Sequence, residues 1–182
     1  MKYQLKSVEQ AANQILEIKK TAKDCFGKLS TEALNRKPAH DKWSAAECLE
    51  HLNLTAKGYL KNIPKEIVAN SKSSNVSDEY KPRVLLKIFA EITGPDSRTK
   101  MPSPKSLISH SSSLDKTVVD DFIKIQDEFL SIIKKINMNS LKNVKVAWPA
   151  LKFFKLQLGE ILIMTIAHQQ RHINQAKRAI KK

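Results

Sequence analysis

Apolar side chains recur along most of this chain at the three- and four-residue intervals of an amphipathic helix. From about Val8 to Leu29 the stripe is Val8, Ala11, Ala12, Ile15, Leu16, Ile18, Ala22 and Phe26, with Glu9, Gln10, Lys19, Lys20 and Lys23 lying off it. Residues Ser30 to Trp43 contain Asn35, Pro38 and Asp41 without a sustained period, so they read as a connection. A second helix starts at Ser44. Ser44 and Glu47 have the spacing of a capping box, in which each side chain bonds an otherwise unpaired amide of the first turn. The stripe continues through Cys48, Leu49, Leu52, Ala56, Tyr59 and Ile63 to Pro64, whose ring removes a helical hydrogen bond. Helical character resumes through Ala69.

Asn70 to Lys81 is rich in Ser, Lys and Asn and reads as an exposed loop, followed by a short apolar segment, Val84 to Ile92, that Gly94 and Pro95 stop. Asp96 to Ser113 holds Pro102, Pro104 and a Ser-His-Ser-Ser-Ser run, which together predict an irregular crossover. A third long helix is expected from about Leu114 to Met138, with Val118, Phe122, Ile125, Phe129, Ile132, Ile133 and Ile136 along one side. After a loop ending near Trp148 and Pro149, the last helix spans roughly Leu156 to Ile180. Four long helices with a long crossover predict an all-α four-helix bundle, expected as a single domain over residues 1–182.

Composition adds constraints rather than a function. A hydrophobic fraction of 41% in 182 residues is enough for a core without disulfides, and only four glycines suit helices better than a turn-rich sheet. Cys25 and Cys48 show no disulfide or thiolate-zinc spacing, which favours a reducing compartment. The first ten residues lack the apolar core of a signal peptide, and the run Ile161 to Ala167 is far short of the ~20 residues that span a bilayer. A cytoplasmic protein that is not transmembrane is expected. The net charge of +14 would suit a polyanion, yet its lysines are scattered from Lys2 to Lys182 with no basic block and no nucleic-acid motif. Solvated helix faces account for them, and no specific nucleic-acid partner is predicted. No phosphate-binding glycine loop, dinucleotide fingerprint or Ser-His-Asp pattern occurs, so phosphoryl and hydride transfer are unsupported.

The histidines carry more chemistry. On a wheel of the last helix, Glu160, Gln170, Arg171, Asn174, Lys177 and Arg178 draw a polar side, and Ile161, Leu162, Thr165, Ala176 and Ile180 draw the opposite arc. His168 and His172 fall within that apolar arc, one turn apart, so both imidazoles point inward. A buried imidazole needs partners for its nitrogens, and the i,i+4 spacing lets two rings reach one ion. His51 lies at the edge of the stripe Cys48, Leu52, Thr55 and Tyr59 and can look into the same bundle interior. Three histidines from two helices would give an open three-ligand metal site with positions left for water or substrate, the alternative reading being hydrogen-bonded core histidines or surface residues. A zincin-type peptidase does not fit, because Gln169 stands beside the first histidine where a general base is required. His40 and His110 fall in connections, Cys48 reads as a small buried hydrophobe, and Glu47 is occupied by its cap. Trp43, Tyr59, Trp148, Phe153 and Phe154 read as packing residues near the bundle end.

Two segments carry a resemblance. Trp43-Ser44-Ala45-Ala46-Glu47-Cys48-Leu49-Glu50-His51-Leu52 is similar to the second-helix signature of DinB-like proteins, and Ala167-His168-Gln169-Gln170-Arg171-His172-Ile173-Asn174-Gln175 is similar to their last-helix signature. Pro149, Phe153 and Phe154 stand where the family has a Pro and aromatics, whereas Gln169 replaces a common Glu and Lys155 a common Gly. The resemblance implies a four-helix bundle holding a divalent metal ion (zinc, nickel, iron or manganese) through His51, His168 and His172. It also implies a metal-dependent enzyme of the thiol S-transferase or hydrolase type, with a low-molecular-weight thiol and an electrophilic small molecule as partners. No catalytic residue beyond the ligands is named. The competing expectation is a non-catalytic binding or stress-response scaffold protein with a basic surface, and pairing with a second copy as a homodimer stays open in either case.

Overall fold

The computed structural model describes residues 3–64, 79–99, 102–104, 107–108, 113–148 and 151–181. Helix α1 spans Val8–Phe26 and buries Ala11, Ile15, Ile18, Ala22 and Phe26, five members of the predicted stripe. A one-turn helix α2, Thr31–Asn35, then interrupts what the sequence reads as plain connection. Ser30 caps it by accepting from the Ala33 amide, and Leu34 anchors it in the core. Because five residues offer a single apolar contact, no period announces this helix.

Helix α3, Ala45–Asn62, begins as expected: the Ser44 amide donates to the Glu47 carboxylate at 2.7 Å and the Glu47 amide to Ser44 Oγ at 3.1 Å. It ends before Pro64. The expected helical continuation to Ala69 lies outside the described residues. Helix α4, Val84–Thr93, matches the short apolar segment and stops at Gly94. Helix α5, Thr117–Ile133, ends five residues before the expected Met138, and a separate short helix α6, Met138–Asn143, follows under an Asn137 cap.

The main departure comes next. Strands β1, Lys145–Trp148, and β2, Leu151–Gln157, form an antiparallel two-stranded sheet where the sequence suggests a loop. Val146 pairs with Leu156, both are buried, and the register breaks between Ala147 and Trp148. So short a pair, with a bulge, leaves too few alternations to be read from sequence. Helix α7, Leu158–Ala179, leads straight out of β2.

The four long helices form a ring in which α1 and α3 each touch both α5 and α7. Their facing stripes supply one continuous core, including Phe26, Leu49, Leu52, Phe122, Phe129, Leu158 and Leu162. The mostly helical bundle is the all-α fold that the periodicity predicts. Helix α4 lies outside the ring against α7. Among the described residues no helix is long and apolar enough to cross a membrane.

One assignment from the helical wheel is overturned. Glu160, placed on the polar side of the last helix, is fully buried. Arg83, just before α4, reaches it with Nε to Oε1 and Nη2 to Oε2, both at 2.7 Å. The Arg83 and Gln157 amides complete the set at 3.1 and 2.8 Å. A carboxylate with four donors can be buried at the first turn of a helix, where the backbone dipole also favours it. No helical period can report a partner 77 residues away. Beside this pair, Gly159 admits the ring of Tyr80 so closely that any Cβ there would overlap it.

Candidate metal centre

Helices α3 and α7 are neighbours, and their contact sets the three imidazoles together. His51 lies two turns into α3 beyond the Ser44 cap, on the face that also buries Cys48 and Leu52. His168 and His172 lie one turn apart on α7. The ring centroids of the three are 4.6 to 5.0 Å from one another. One ring nitrogen from each lies within 4.8 Å of the others. Among the described residues this group contains neither carboxylate nor thiol.

The hydrogen bonds set the tautomer of one ring. His51 Nδ1 lies 2.8 Å from the carbonyl of Leu107 and can only donate there, which leaves Nε2 as a bare lone pair. That lone pair faces His168 Nε2 at 3.1 Å. Two nitrogens bound tetrahedrally to one ion at ~2.05 Å would sit about 3.3 Å apart, so the observed separation fits shared ligation. His172 Nδ1 is buried and has no hydrogen-bond partner among the described residues. An imidazole held this way suits a ligand whose role is to offer electrons rather than to complete a core network.

The electrostatics keep all three rings neutral. Burial lowers the pKa of His51, against the pull of the Leu107 carbonyl. Burial also lowers His168 well below the usual histidine range, with His172, His51 and Arg171 adding to the shift. For His172 burial, then His51 and Arg171, push the value down to about 3, with the Gln175 amide opposing. Neutral imidazole is the form that binds a metal.

Two further residues shape the site. Trp43, immediately before the α3 cap, stacks on His172 at 5.6 Å and 24° and meets His51 at 5.1 Å, so it packs and walls the site at once. Its place before a capping box next to a candidate ligand is the signal that could have marked it. Arg171 donates to the carbonyls of Ile92, Gly94, Ser97 and Thr99, tying the start of the crossover to the helix that carries the histidines. Neither these carbonyls nor that of Leu107 leaves any trace in side-chain patterning.

The remaining sequence candidates stay apart from the centre. Glu47 is held by its cap and by Lys37 at 2.8 Å. Cys48 is fully buried, and burial pushes its thiol far up, as expected of a small hydrophobe. His40 is exposed, and His110 lies outside the described residues. Of the aromatics, Tyr59 is buried, Trp148 packs against Phe89 and Phe154, and Phe153 is fully exposed rather than packed.

The sequence profile of the DinB superfamily matches residues 19–176, nearly the whole chain and all three histidines. The chain belongs to the DinB superfamily. No curated protein and no solved structure matches it. The three-histidine group of this DinB-superfamily protein could hold a metal ion, and such a group is compatible with metal binding in this family.

Proposed function

We propose that this DinB-superfamily protein is a metal-dependent enzyme, a thiol S-transferase or a hydrolase, with His51, His168 and His172 as the ligands of one divalent ion. The observation that carries this reading is the 3.1 Å approach of His51 Nε2 to His168 Nε2, with the other nitrogen of His51 already committed to Leu107. Zinc, nickel, iron and manganese all suit a set of imidazoles. When bound, such an ion lowers the pKa of a small thiol or of water and so supplies a nucleophile near neutral pH.

The chain's own part is to hold and to exclude. His51 is fixed in one tautomer by Leu107, and His172 is fixed in orientation by the stacked Trp43 ring. Trp43 also covers His51 and His172 from that side, while burial lowers the pKa of both rings and favours their neutral form. No carboxylate of the described residues joins the ligand group, which suits a reaction in which the metal itself activates the nucleophile. This favours addition of a low-molecular-weight thiol to an electrophilic small molecule, with hydrolysis as the variant in which water replaces the thiol.

Elemental analysis of untagged protein tests the ligand set: about one divalent ion per chain is expected. Equal metal content in a His168→Ala, His172→Ala double variant would refute the assignment. Turnover of a generic electrophile by the metal-loaded protein, with several cellular thiols and with water alone, tests the chemistry. Activity that survives His51→Ala would move it elsewhere.

A further inference from the structure

From Phe129 to Gly159 the chain carries six lysines, Lys134, Lys135, Lys142, Lys145, Lys152 and Lys155, and neither aspartate nor glutamate. Along the sequence they form no block, but the fold draws this segment to one end of the bundle, where α5 finishes, α6 and the β1–β2 pair follow, and α7 begins. The end of α3 meets it there, with Asn62 Nδ2 donating to the Ala147 carbonyl at 3.1 Å. Lys134, Lys135, Lys142, Lys145 and Lys155 are exposed. Among the described residues none of these five pairs with a carboxylate, and Lys145 Nζ finds only the Lys142 carbonyl, at 2.9 Å.

Apolar side chains stand among these cations. Alternation along β2 turns Phe154 and Leu156 inward, Phe154 against Trp148 at 6.1 Å, and turns Phe153 and Lys155 to solvent. Lys145 pairs with Gln157 and Ala147 with Lys155, so Lys145 shares that outer face. The start of α4 is fastened to the same strand, because the Arg83 guanidinium donates to the Lys155 carbonyl at 3.1 Å and lies over the Phe154 ring at 5.2 Å. Val84 and Leu85 follow at once, 75% and 66% exposed, and with Phe153 they are the three most exposed large hydrophobics among the described residues. We propose that this end of the bundle is a docking surface for a bilayer with anionic headgroups, in which Phe153, Val84 and Leu85 enter the acyl boundary and the lysines meet the headgroups.

The pairing of the two features selects the occupant. Singly exposed hydrophobics are ordinary on a protein surface, but here they lie on two elements joined by one arginine and are set among unpaired cations. Water serves the lysines and not the apolar side chains, whereas an anionic bilayer interface serves both. A nucleic acid would serve the lysines alone. Its bases stack on aromatic rings, and two of the three apolar side chains, Val84 and Leu85, are aliphatic and offer no π face. Among the described residues no helix can cross a membrane, so the attachment is peripheral, and with so few inserted side chains it is reversible and sensitive to salt.

Flotation of the full chain with vesicles of mixed phosphatidylglycerol and phosphatidylcholine tests this. The wild type is expected to bind the mixed vesicles, to ignore pure phosphatidylcholine, and to dissociate as salt rises. Lys145→Glu with Lys155→Glu should weaken binding by about a hundredfold, and Leu85→Ser with Phe153→Ser by on the order of tenfold. All four positions are exposed, so helicity and melting temperature should stay unchanged. Phe153→Trp should keep the affinity and add blue-shifted emission on the mixed vesicles, measured against the wild-type signal. A wild type that ignores the mixed vesicles overturns the proposal. So does an equal loss in Lys20→Glu with Lys23→Glu, which makes the same charge change on the exposed side of α1 and should leave most of the binding intact. Bound Phe153→Trp protein whose emission does not move overturns the insertion of the hairpin. Binding to single-stranded oligonucleotides without binding to vesicles, lost in Leu85→Ser with Phe153→Ser, overturns the proposal in favour of a nucleic acid.

Discussion

Helix α7 carries two clusters of buried polar side chains, and they are opposites. At its first turn Glu160 has four donors for its two oxygens, from Arg83 and two backbone amides. About two turns further on, His168 Nε2 and His51 Nε2 share one hydrogen bond at 3.1 Å, and one turn beyond it His172 Nδ1 has no partner among the described residues. The first cluster is complete within the chain and needs nothing else. The second is assembled by equally rigid elements and left short of hydrogen bonds, the condition in which a ligand from outside has most to contribute.

The largest expected effect breaks the second cluster without touching the first. Replacing His168 and His172 by Ala should lower metal affinity by on the order of a thousand-fold or more, measured by competition with a chromophoric chelator. The same metal at a hundred times its Kd should stabilise the wild type by about 2.7 kcal/mol and leave the double variant unmoved. Unchanged affinity would mean that the imidazoles are not the ligands.

Breaking the first cluster should cost stability instead. Arg83→Ala leaves a buried carboxylate with only backbone donors and should destabilise the fold by about 3 kcal/mol in urea unfolding, the low end for a broken buried pair because Arg83 is half-exposed. His168→Leu, by contrast, should cost the metal-free protein only about 1 kcal/mol, since it removes a single neutral hydrogen bond, that to His51 Nε2, rather than one partner of a buried ion pair. Equal losses in the two variants would erase the distinction between the clusters.

Acid should reveal the same contrast more gently. Burial works to raise the pKa of Glu160, but the bonds from Arg83 and from the Gln157 and Arg83 amides outweigh it and leave the group below its ordinary value. A carboxylate depressed in the folded state contributes stability above its unfolded pKa, and that contribution is lost as pH falls through the folded one. Stability should therefore decline as the pH drops below about 4.5, and Glu160→Gln should flatten that decline. An unchanged slope in the variant would show that Glu160 does not set it.

The smallest effect concerns how His51 is delivered. Ser44→Ala removes one half of the capping box at the start of α3 and should cost about 1 kcal/mol, while metal affinity shifts only a few-fold because the cap lies two turns away. A large loss of affinity would make the cap part of the centre itself.

The two clusters were also unequally legible. The histidines announced themselves because their spacing on α7 coincides with the apolar arc, and because a capping box fixes the phase of α3 and hence the direction of His51. Both are local signals. Glu160 was misplaced on the solvent side because its environment is made by Arg83, distant in sequence, and the wheel sees only its own helix. The same reason hid the Leu107 carbonyl, the contacts of Arg171 and the β1–β2 pair: each depends on backbone groups or cross-chain register that side-chain periodicity does not encode. The long helices of the bundle were readable because each buries a stripe many turns long, and α2 was not because it is barely more than one turn.

The grip of Arg171 has a consequence for how this protein tolerates change. Its guanidinium binds the chain leaving α4 through four main-chain oxygens, those of Ile92, Gly94, Ser97 and Thr99. Every residue type carries that oxygen, so the attachment does not depend on which side chains occupy those positions. Gly94 is the exception, because a Cβ there would collide with the Tyr3 hydroxyl and the Ala90 carbonyl. Around it the stretch is free to drift in sequence while its path stays where a single arginine on α7 puts it.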